Sequence, residues 1–152
     1  MTGADIVAEA RTWLGTPWVH QASVKGAGCD CIGFVVGVAE AFGIPEAKAW
    51  KNDLLFRGYP VTPVMDKLLA AVEKYLDPVS VPRIEPGDIL VFNLIIPQHI
   101  ALPMHFGIVS QIKPTYIIHA HAPKSVGRVV ENILDDKWLR RVHSARRYRG
   151  KV

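Results

Sequence analysis

The sequence predicts an α+β domain in which N-terminal helices pack on an antiparallel sheet of about five strands. Two observations lead to this fold class. Apolar residues recur every three or four positions before Pro86, as on the buried face of a helix, and alternate with polar residues after it, as in strands. The connections after Pro86 are short and turn-like, so strands that are neighbours in sequence are expected to pair directly.

Three helices are predicted ahead of the sheet. The first begins after Thr2, where a capping pattern starts, and it ends at Gly15. The second follows a glycine-rich loop, has its first turn at Cys31 and ends at Gly43. The third is expected from Pro63 to about Leu76, because proline is favoured at the first position of a helix.

Five later segments have the composition and alternation of strands. No internal repeat, low-complexity tract or Gly/Ser-rich linker interrupts the chain, so residues 1–152 are expected to form a single domain. The strand segments are Asp88 to Leu94, His105 to Ile112, Thr115 to His121, Val126 to Asn132 and Val142 to Tyr148.

The composition is that of a globular protein that does not enter a membrane. Hydrophobic residues make up 49% of the 152 residues and charged residues 21%. The longest purely apolar stretches are only a few residues, whereas a bilayer span needs about 20. Charged residues at Asp5, Glu9 and Arg11 argue against a secretory signal, so synthesis in the cytoplasm is expected. Cys29 and Cys31 are too close in sequence for an unstrained disulfide.

The positive charge is concentrated at the C-terminal end. Residues 1–136 hold 11 basic and 14 acidic residues, whereas residues 137–152 hold 7 basic and none acidic. Two interpretations stay open for this segment: a solvated strand and tail, or a docking surface for an anionic partner. A nucleic-acid partner is not predicted, because the sequence has no RNA-binding or zinc-finger signature.

Cys31 is the candidate nucleophile. It lies in the first turn of the second predicted helix, with Asp30 at the capping position, and the helix dipole there is expected to lower the pKa of a thiol. A thiolate is the form that attacks a carbonyl carbon. The alternative is a small buried thiol that only fills space in the core.

Three histidines are candidates for the general base and for the residue that orients it. His105 opens one predicted strand, on the opposite side from Phe106, and His119 and His121 share one face of the next. If the two strands form a hairpin, an imidazole of the second strand can orient His105. The alternative for each histidine alone is a hydrogen-bonded, partly buried residue.

A metal site is the competing interpretation of the same residues. The Cys-x-Cys spacing differs from the Cys-x₂-Cys of common zinc modules, and no His-Glu-x-x-His is present, so neither a metal nor another cofactor is predicted. The potential zinc ligands are Cys29, Cys31, His99, His105, His119 and His121.

Five motifs, in this order, resemble those of NlpC-type peptidoglycan peptidases, and the resemblance spans roughly residues 3–148. The motifs are Leu14-Gly15-Thr16-Pro17-Trp18, Asp30-Cys31-Ile32-Gly33-Phe34, Glu85-Pro86-Gly87-Asp88-Ile89-Leu90-Val91-Phe92, His105-Phe106-Gly107-Ile108 and Ile118-His119-Ala120.

The resemblance implies a trimmed papain-like fold and a set of roles. Cys31 would be the nucleophile, His105 the general base and His119 the residue that orients it. The positions on the substrate or oxyanion side would be Trp18, His20 and Asp30. The family usually has tyrosine where Trp18 stands, so the hydroxyl contribution at this position is replaced by an indole N–H.

The resemblance also implies a substrate and a carrier. The family usually cleaves peptidoglycan stem peptides between D-γ-glutamate and the diamino acid. The stretch from Thr16 to Ser23 is similar to the phage branch, whose members are tail-associated wall peptidases and include relatives in gene transfer agents. Tail proteins are therefore the expected partners, and a virion or phage-like tail the expected location. The insert from Asn93 to Pro103 is expected to be a lid or a docking surface.

Two further function classes stay open at this point. One is a structural tail subunit that keeps the fold and has lost activity, for which the change at Trp18 is the sequence support. The other is a thiol amidase or acyltransferase on another substrate, since the same Cys-His pair performs both reactions.

Overall fold

The computed structural model of the chain describes residues 1–52, 65–95, 101–122 and 125–152. The helices are α1 (Gly3–Arg11), α2 (Cys31–Ala41), α3 (Pro45–Trp50), α4 (Met65–Tyr75) and α5 (Asp136–Leu139). The strands are β1 (Ser23–Val24), β2 (Gly28–Cys29), β3 (Leu76–Val79), β4 (Ile89–Ile95), β5 (Ala101–Gln111), β6 (Tyr116–His121), β7 (Arg128–Ile133) and β8 (Val142–Tyr148).

The helices begin where capping residues predict them. Thr2 caps α1 in a reciprocal capping box with Asp5, and the turn that follows α1 ends at Gly15, whose φ is +83°. Asp30 caps α2, so Cys31 is its first residue. Helix α4 lies inside the range predicted for the third helix, whose expected start at Pro63 is outside the described residues.

The main sheet has six antiparallel strands in the order β3-β8-β4-β5-β6-β7. Strands β4 to β7 form the expected meander of sequence neighbours. Strand β3, which pairs with β8 at one edge, is an addition to the prediction. It has only four residues and contains Pro78, which is compatible with an edge strand and gives no alternating pattern.

Two hydrophobic cores lie on the two faces of the sheet. The larger first core joins α1 to α4 with one side of each strand, including Val91, Phe106 and Ile118. The second core lies on the opposite side and includes Phe92, with Trp138 of α5 packed against it. The N-terminal helices α1 to α4 therefore pack on one face of the sheet, as predicted, and α5, which was not predicted, covers the other face.

The short elements escaped the sequence analysis because they hold no full period. Strands β1 and β2, of two residues each, form a short hairpin ahead of α2. The helices α3 and α5 have six and four residues, too few for an apolar stripe to be recognised. Strands β4 and β5 extend into the insert predicted between Asn93 and Pro103, and residues 96–100, where a lid would be centred, lie outside the described residues.

Part of the C-terminal basic segment forms ion pairs within the chain. Arg147 and Lys151 both reach the carboxylate of Asp88, and Arg149 pairs with Asp77. Three of the seven cations of the segment are thus paired with carboxylates of the same chain, and the docking interpretation stays a prediction. No helix in the described part of the chain is long and apolar enough to span a bilayer.

Asp88 is a buried carboxylate just before β4 that binds basic residues at the C-terminal end of the chain. Its carboxylate accepts hydrogen bonds from Arg147 Nε at 2.8 Å, Arg147 Nη2 at 2.7 Å, Lys151 Nζ at 2.8 Å and the Glu85 N–H at 2.9 Å. Burial alone would raise the pKa of Asp88, but these bonds together hold the pKa below its ordinary value.

We expect Asp88→Asn to destabilise the protein by about 3 kcal/mol at neutral pH, because it leaves two cations without their buried counter-charge. The folded-state pKa of Asp88 is depressed, so its contribution is present above the unfolded pKa near 3.8 and is lost as the pH falls below it. Urea unfolding of both proteins at several pH values between about 7 and 3 measures this. A difference between them that stays constant over that range contradicts the assignment.

Candidate active site

The loop before α2 is built to hold the start of that helix in place. Asp30 Oδ1 accepts the Gly33 N–H at 2.7 Å, and Asp30 Oδ2 accepts the Gln21 N–H at 2.9 Å. A Cβ atom at Gly33 would lie 1.8 Å from the carbonyl oxygen of Ala22, so only glycine permits this approach. Gln21 has a φ of 58°, an uncommon conformation for a residue other than glycine. Together these features fix the position of Cys31.

Cys31 lies where α2 meets β5. The ladder between β5 and β6 runs from Ile108–Ile118 to Gln111–Tyr116. Beyond the ladder, the N–H of Phe106 and, at the helix start, those of Ile32 and Cys31 itself lie close enough to the Cys31 sulfur to favour its thiolate form. Cys31 is half-buried. Its sulfur is thus held against the backbone of the residue that follows His105.

His105 and His119 are joined directly by their rings. His105 Nε2 and His119 Nδ1 are 2.8 Å apart, and His119 Nε2 is 3.0 Å from Oδ1 of Asn132 on β7. Gly107 lies beside this pair: a Cβ there would lie 3.0 Å from Cδ1 of Ile117 and 3.4 Å from Cβ of His119, so a larger residue would press on the neighbouring strand. The predicted pairing of His105 with an imidazole of the next strand is thus present in the structure.

Asn132 sets the protonation pattern of this relay. An amide oxygen only accepts hydrogen bonds, so His119 Nε2 carries a hydrogen and His119 Nδ1 carries a lone pair. His105 Nε2 must then donate to His119 Nδ1, which leaves the lone pair of His105 on Nδ1. This tautomer is the one in which His105 can accept a proton from a nucleophile.

Two residues of this site were missed by the sequence analysis. Asn132 is one, and Trp138 of α5 is the other. The Trp138 ring packs against His105, His119 and His121 at centroid distances of 5.8, 5.9 and 6.0 Å. Neither residue belongs to one of the five motifs, and each reaches the relay from a separate element, so no local signal in the sequence marks them.

Burial sets the ionisation of the site. It raises the pKa of the Cys31 thiol, the negative charge of Asp30 raises it further, and the three N–H groups only partly offset this. The expectation that the helix dipole gives a lowered thiol pKa is therefore wrong. Burial also lowers the pKa of His105, and it lowers the pKa of His119 to about 4. The resting pair is a neutral thiol and a neutral imidazole.

Cys29 differs from Cys31 in its surroundings. It lies in β2, opposite Ser23, and is fully buried in the first core. Burial and then the charge of Asp30 raise the pKa of Cys29 to about 12. The pKa is raised for both thiols, so exposure is what distinguishes them: Cys31 is partly exposed and Cys29 is buried. That Cys31 is the reactive cysteine stays a prediction.

Trp18 and His20 lie on the loop next to the start of α2. The Trp18 and His20 rings stack at 6.3 Å between centroids, and His20 Nδ1 is 3.9 Å from Asp30 Oδ2. The Trp18 N–H donates to the carbonyl of Gly127 at 2.8 Å, which ties this loop to the start of β7. The structure therefore places both rings on the same loop as the Asp30 cap.

For the peptidase activity that the resemblance implies, we expect Asn132→Leu to lower kcat about tenfold with little change in KM. The reason is that His119 loses the hydrogen-bond acceptor that fixes its tautomer. Asn132→Asp should retain activity within about threefold, since a carboxylate accepts the same hydrogen bond. Steady-state kinetics of both variants measure this. Equal loss in the two variants would show that Asn132 acts only through packing.

The comparisons with known proteins concern the fold. No protein-family model matches the sequence, and no curated protein matches it. Among solved structures, the NlpC/p60 domain of the peptidoglycan hydrolase SagA is 25% identical, with a TM-score of 0.53 over 88% of this chain and 90% of that domain.

Two larger proteins match over nearly the whole of this chain. An NLP/P60 family protein of Staphylococcus aureus, described as similar to lipoprotein, has a TM-score of 0.62 at 19% identity over 96% of this chain. An NlpC/P60 family protein of Bacillus cereus has a TM-score of 0.64 at 19% identity over 97% of this chain. The chain spans only 41% and 40% of those two structures. Its helices and antiparallel sheet therefore have the NlpC/P60-type fold.

Proposed function

We propose that this protein is a cysteine peptidase that hydrolyses peptidoglycan stem peptides. The observation that carries the proposal is the relay from His105 through His119 to Asn132, together with a cysteine at the start of a helix whose sulfur lies against the N–H of Phe106, the residue after His105. This arrangement supplies a nucleophile, a base with a free lone pair and an orienting partner. The substrate class rests on the NlpC/P60-type fold, which the peptidoglycan hydrolase SagA shares.

The first half of the reaction transfers the acyl group to Cys31. As the sulfur bonds to the carbonyl carbon of the scissile amide, the thiol proton moves to Nδ1 of His105. His105 then donates that proton to the amine as the carbon–nitrogen bond breaks. Because the resting thiol and imidazole are neutral, the proton moves during attack and a thiolate is not held in advance.

The second half regenerates the thiol. His105 Nδ1 takes a proton from water as the water oxygen attacks the thioester carbon, and the sulfur leaves and recovers that proton. In both halves the negative oxygen of the tetrahedral intermediate needs donors. The N–H groups of Cys31 and Ile32, which already face the sulfur, are the donors in this proposal.

The scissile bond in this proposal is the amide between D-γ-glutamate and the diamino acid. Trp18 and His20 form the adjacent wall for the stem peptide. Their stacked rings offer an apolar face, and the Trp18 indole N–H is a donor but not an acceptor. Asp30 supports this wall through its contact with His20.

Digestion of purified peptidoglycan, followed by mass spectrometry of the released fragments, tests the proposal. Peptides that begin with the diamino acid, released by the wild-type protein and not by Cys31→Ala, support it. Intact walls would favour the structural tail subunit. Release of ammonia, or transfer of the acyl group to an added amine without cleavage of the stem, would favour an amidase or acyltransferase.

A phage-type tail is the proposed carrier of this activity. The support is the likeness of the stretch from Thr16 to Ser23 to the phage branch. On the surface, Lys137, Leu139 and Arg140 are exposed on and after α5, close in sequence to the exposed Asp135 and Asp136, and this charged and apolar patch is the proposed contact with tail proteins. Mass spectrometry of purified particles should detect the chain, and detection only as free protein outside the cells would contradict the proposal.

A further inference from the structure

A third histidine lies beside the relay without belonging to it. The ring centroid of His121 is 4.9 Å from that of His119 and 6.3 Å from that of His105. One nitrogen from each of the three rings can be chosen so that all three atoms lie within 4.8 Å of one another. The proton transfers described above need only His105 and His119, so the position of His121 requires a separate explanation.

We propose that His105, His119 and His121 form a reversible binding site for Zn²⁺ or a similar divalent transition-metal ion, and that the bound ion switches the peptidase off. The binding part of this inference stands on the geometry of the three imidazoles alone. Only the inhibitory part rests on the proposed peptidase function.

The donor set fits zinc chemistry. Three imidazoles are a known protein ligand set for zinc, with Zn–N distances of about 2.0–2.1 Å and a fourth position left for water. Two nitrogens on a tetrahedral ion at that distance are about 3.3 Å apart. On metal binding, the 2.8 Å distance between the His105 and His119 nitrogens must therefore open slightly, and the His121 nitrogen must move closer to both.

The surroundings already orient the ligands. Asn132 accepts the hydrogen on His119 Nε2 and so presents the lone pair of His119 Nδ1, which is the outer hydrogen bond typical of a metal-binding histidine. Trp138 packs against all three rings. A cavity of about 230 Å³, lined in part by His119, His121 and Asp135, gives an ion a path to the site.

Metal binding removes the base whichever nitrogen of His105 it takes. If Nδ1 binds the ion, its lone pair is used directly. If Nε2 binds the ion, the hydrogen it shares with His119 must move to Nδ1, and the lone pair that would receive the Cys31 proton is again lost. A zinc-bound protein is therefore expected to be inactive, and removal of the ion should restore activity.

Direct binding is measured in the Cys31→Ala protein, so that the thiol takes no part. Titration with Co²⁺, a spectroscopic substitute for zinc, should produce visible absorption bands that saturate at one ion per chain and disappear on addition of Zn²⁺. The same titration is carried out after adding His121→Ala or, as a second variant, His121→Gln. We expect either change to weaken metal binding at least about tenfold.

The inhibitory effect is measured with Cys31 intact. Zn²⁺ should abolish the peptidoglycan-hydrolysing activity of the wild type, and EDTA should restore it. His121→Ala should equal the wild type in EDTA and need at least about tenfold more Zn²⁺ for inhibition.

The metal titration and the inhibition assay distinguish failure of the metal site from failure of the proposed peptidase function. Equal metal affinity with and without His121, or no binding at one ion per chain, overturns the metal site. Metal binding that depends on His121 in a protein without peptidase activity leaves the site intact and rejects the proposed function. Inhibition by Zn²⁺ that is unchanged in both His121 variants would place the inhibitory ion elsewhere.

Discussion

Cys31→Ala should lower kcat/KM for peptidoglycan cleavage by about 10⁴-fold or more, to the background of the assay. In the proposed mechanism, alanine removes the atom that forms the acyl-enzyme, and neither His105 nor His119 can replace it. The substitution is small and the residue is only half-buried, so the fold should be retained. Release of soluble fragments from purified walls, with circular dichroism as the check on folding, measures this.

Cys29→Ala is the matched control. Cys29 is buried in the first core and has no part in the proposed mechanism, so this variant should keep activity within about threefold and lose some stability. Iodoacetamide at neutral pH should label Cys31 first, because burial raises the pKa of both thiols and Cys31 alone of the two is partly exposed. Full activity in Cys31→Ala, or preferential labelling of Cys29, would reject the assignment.

The elements that were predicted correctly are those whose signal is local. The strand Val142–Tyr148 has the bounds read from its alternation, and the start of α1 follows from Thr2 and the capping box. Strand β3 could not be read, because its four residues join the sheet only through pairing with β8, far along the chain. Helix α5 could not be predicted either, because a single turn shows no periodicity. Its place in the fold depends on Trp138, which packs against His119.

In the candidate site, too, local signals could be predicted from the sequence and long-range contacts could not. The position of Cys31 at a helix start and the choice of His105 and His119 as candidate partners follow from local patterns and from the resemblance. Asn132 could not be found in this way, because it meets His119 only through the register of β6 and β7, where His119 pairs with Val130 and Ile117 with Asn132. The sign of the thiol pKa shift also escaped prediction, since burial is a property of the folded state.

His105→Ala should reduce kcat/KM at neutral pH about as strongly as Cys31→Ala, but for a different reason. The thiol remains, yet it has no base to take its proton, and its raised pKa keeps it protonated. His119→Ala should be milder, with a loss of about 10²- to 10³-fold, because it leaves His105 in place without its orienting partner. Assays in EDTA exclude any effect of bound metal.

The pH dependence distinguishes loss of the base from loss of the nucleophile. In His105→Ala the thiolate can form only by direct ionisation, so the residual rate should rise about tenfold for each unit of pH. Because burial and Asp30 place the pKa of Cys31 above its ordinary value of 9.0, this rise should continue past pH 9.0 without a plateau. Cys31→Ala should stay at background throughout, and the wild type should not show this steep rise. A flat profile in His105→Ala would mean that another group deprotonates Cys31, and His105 would then lose its role as the base.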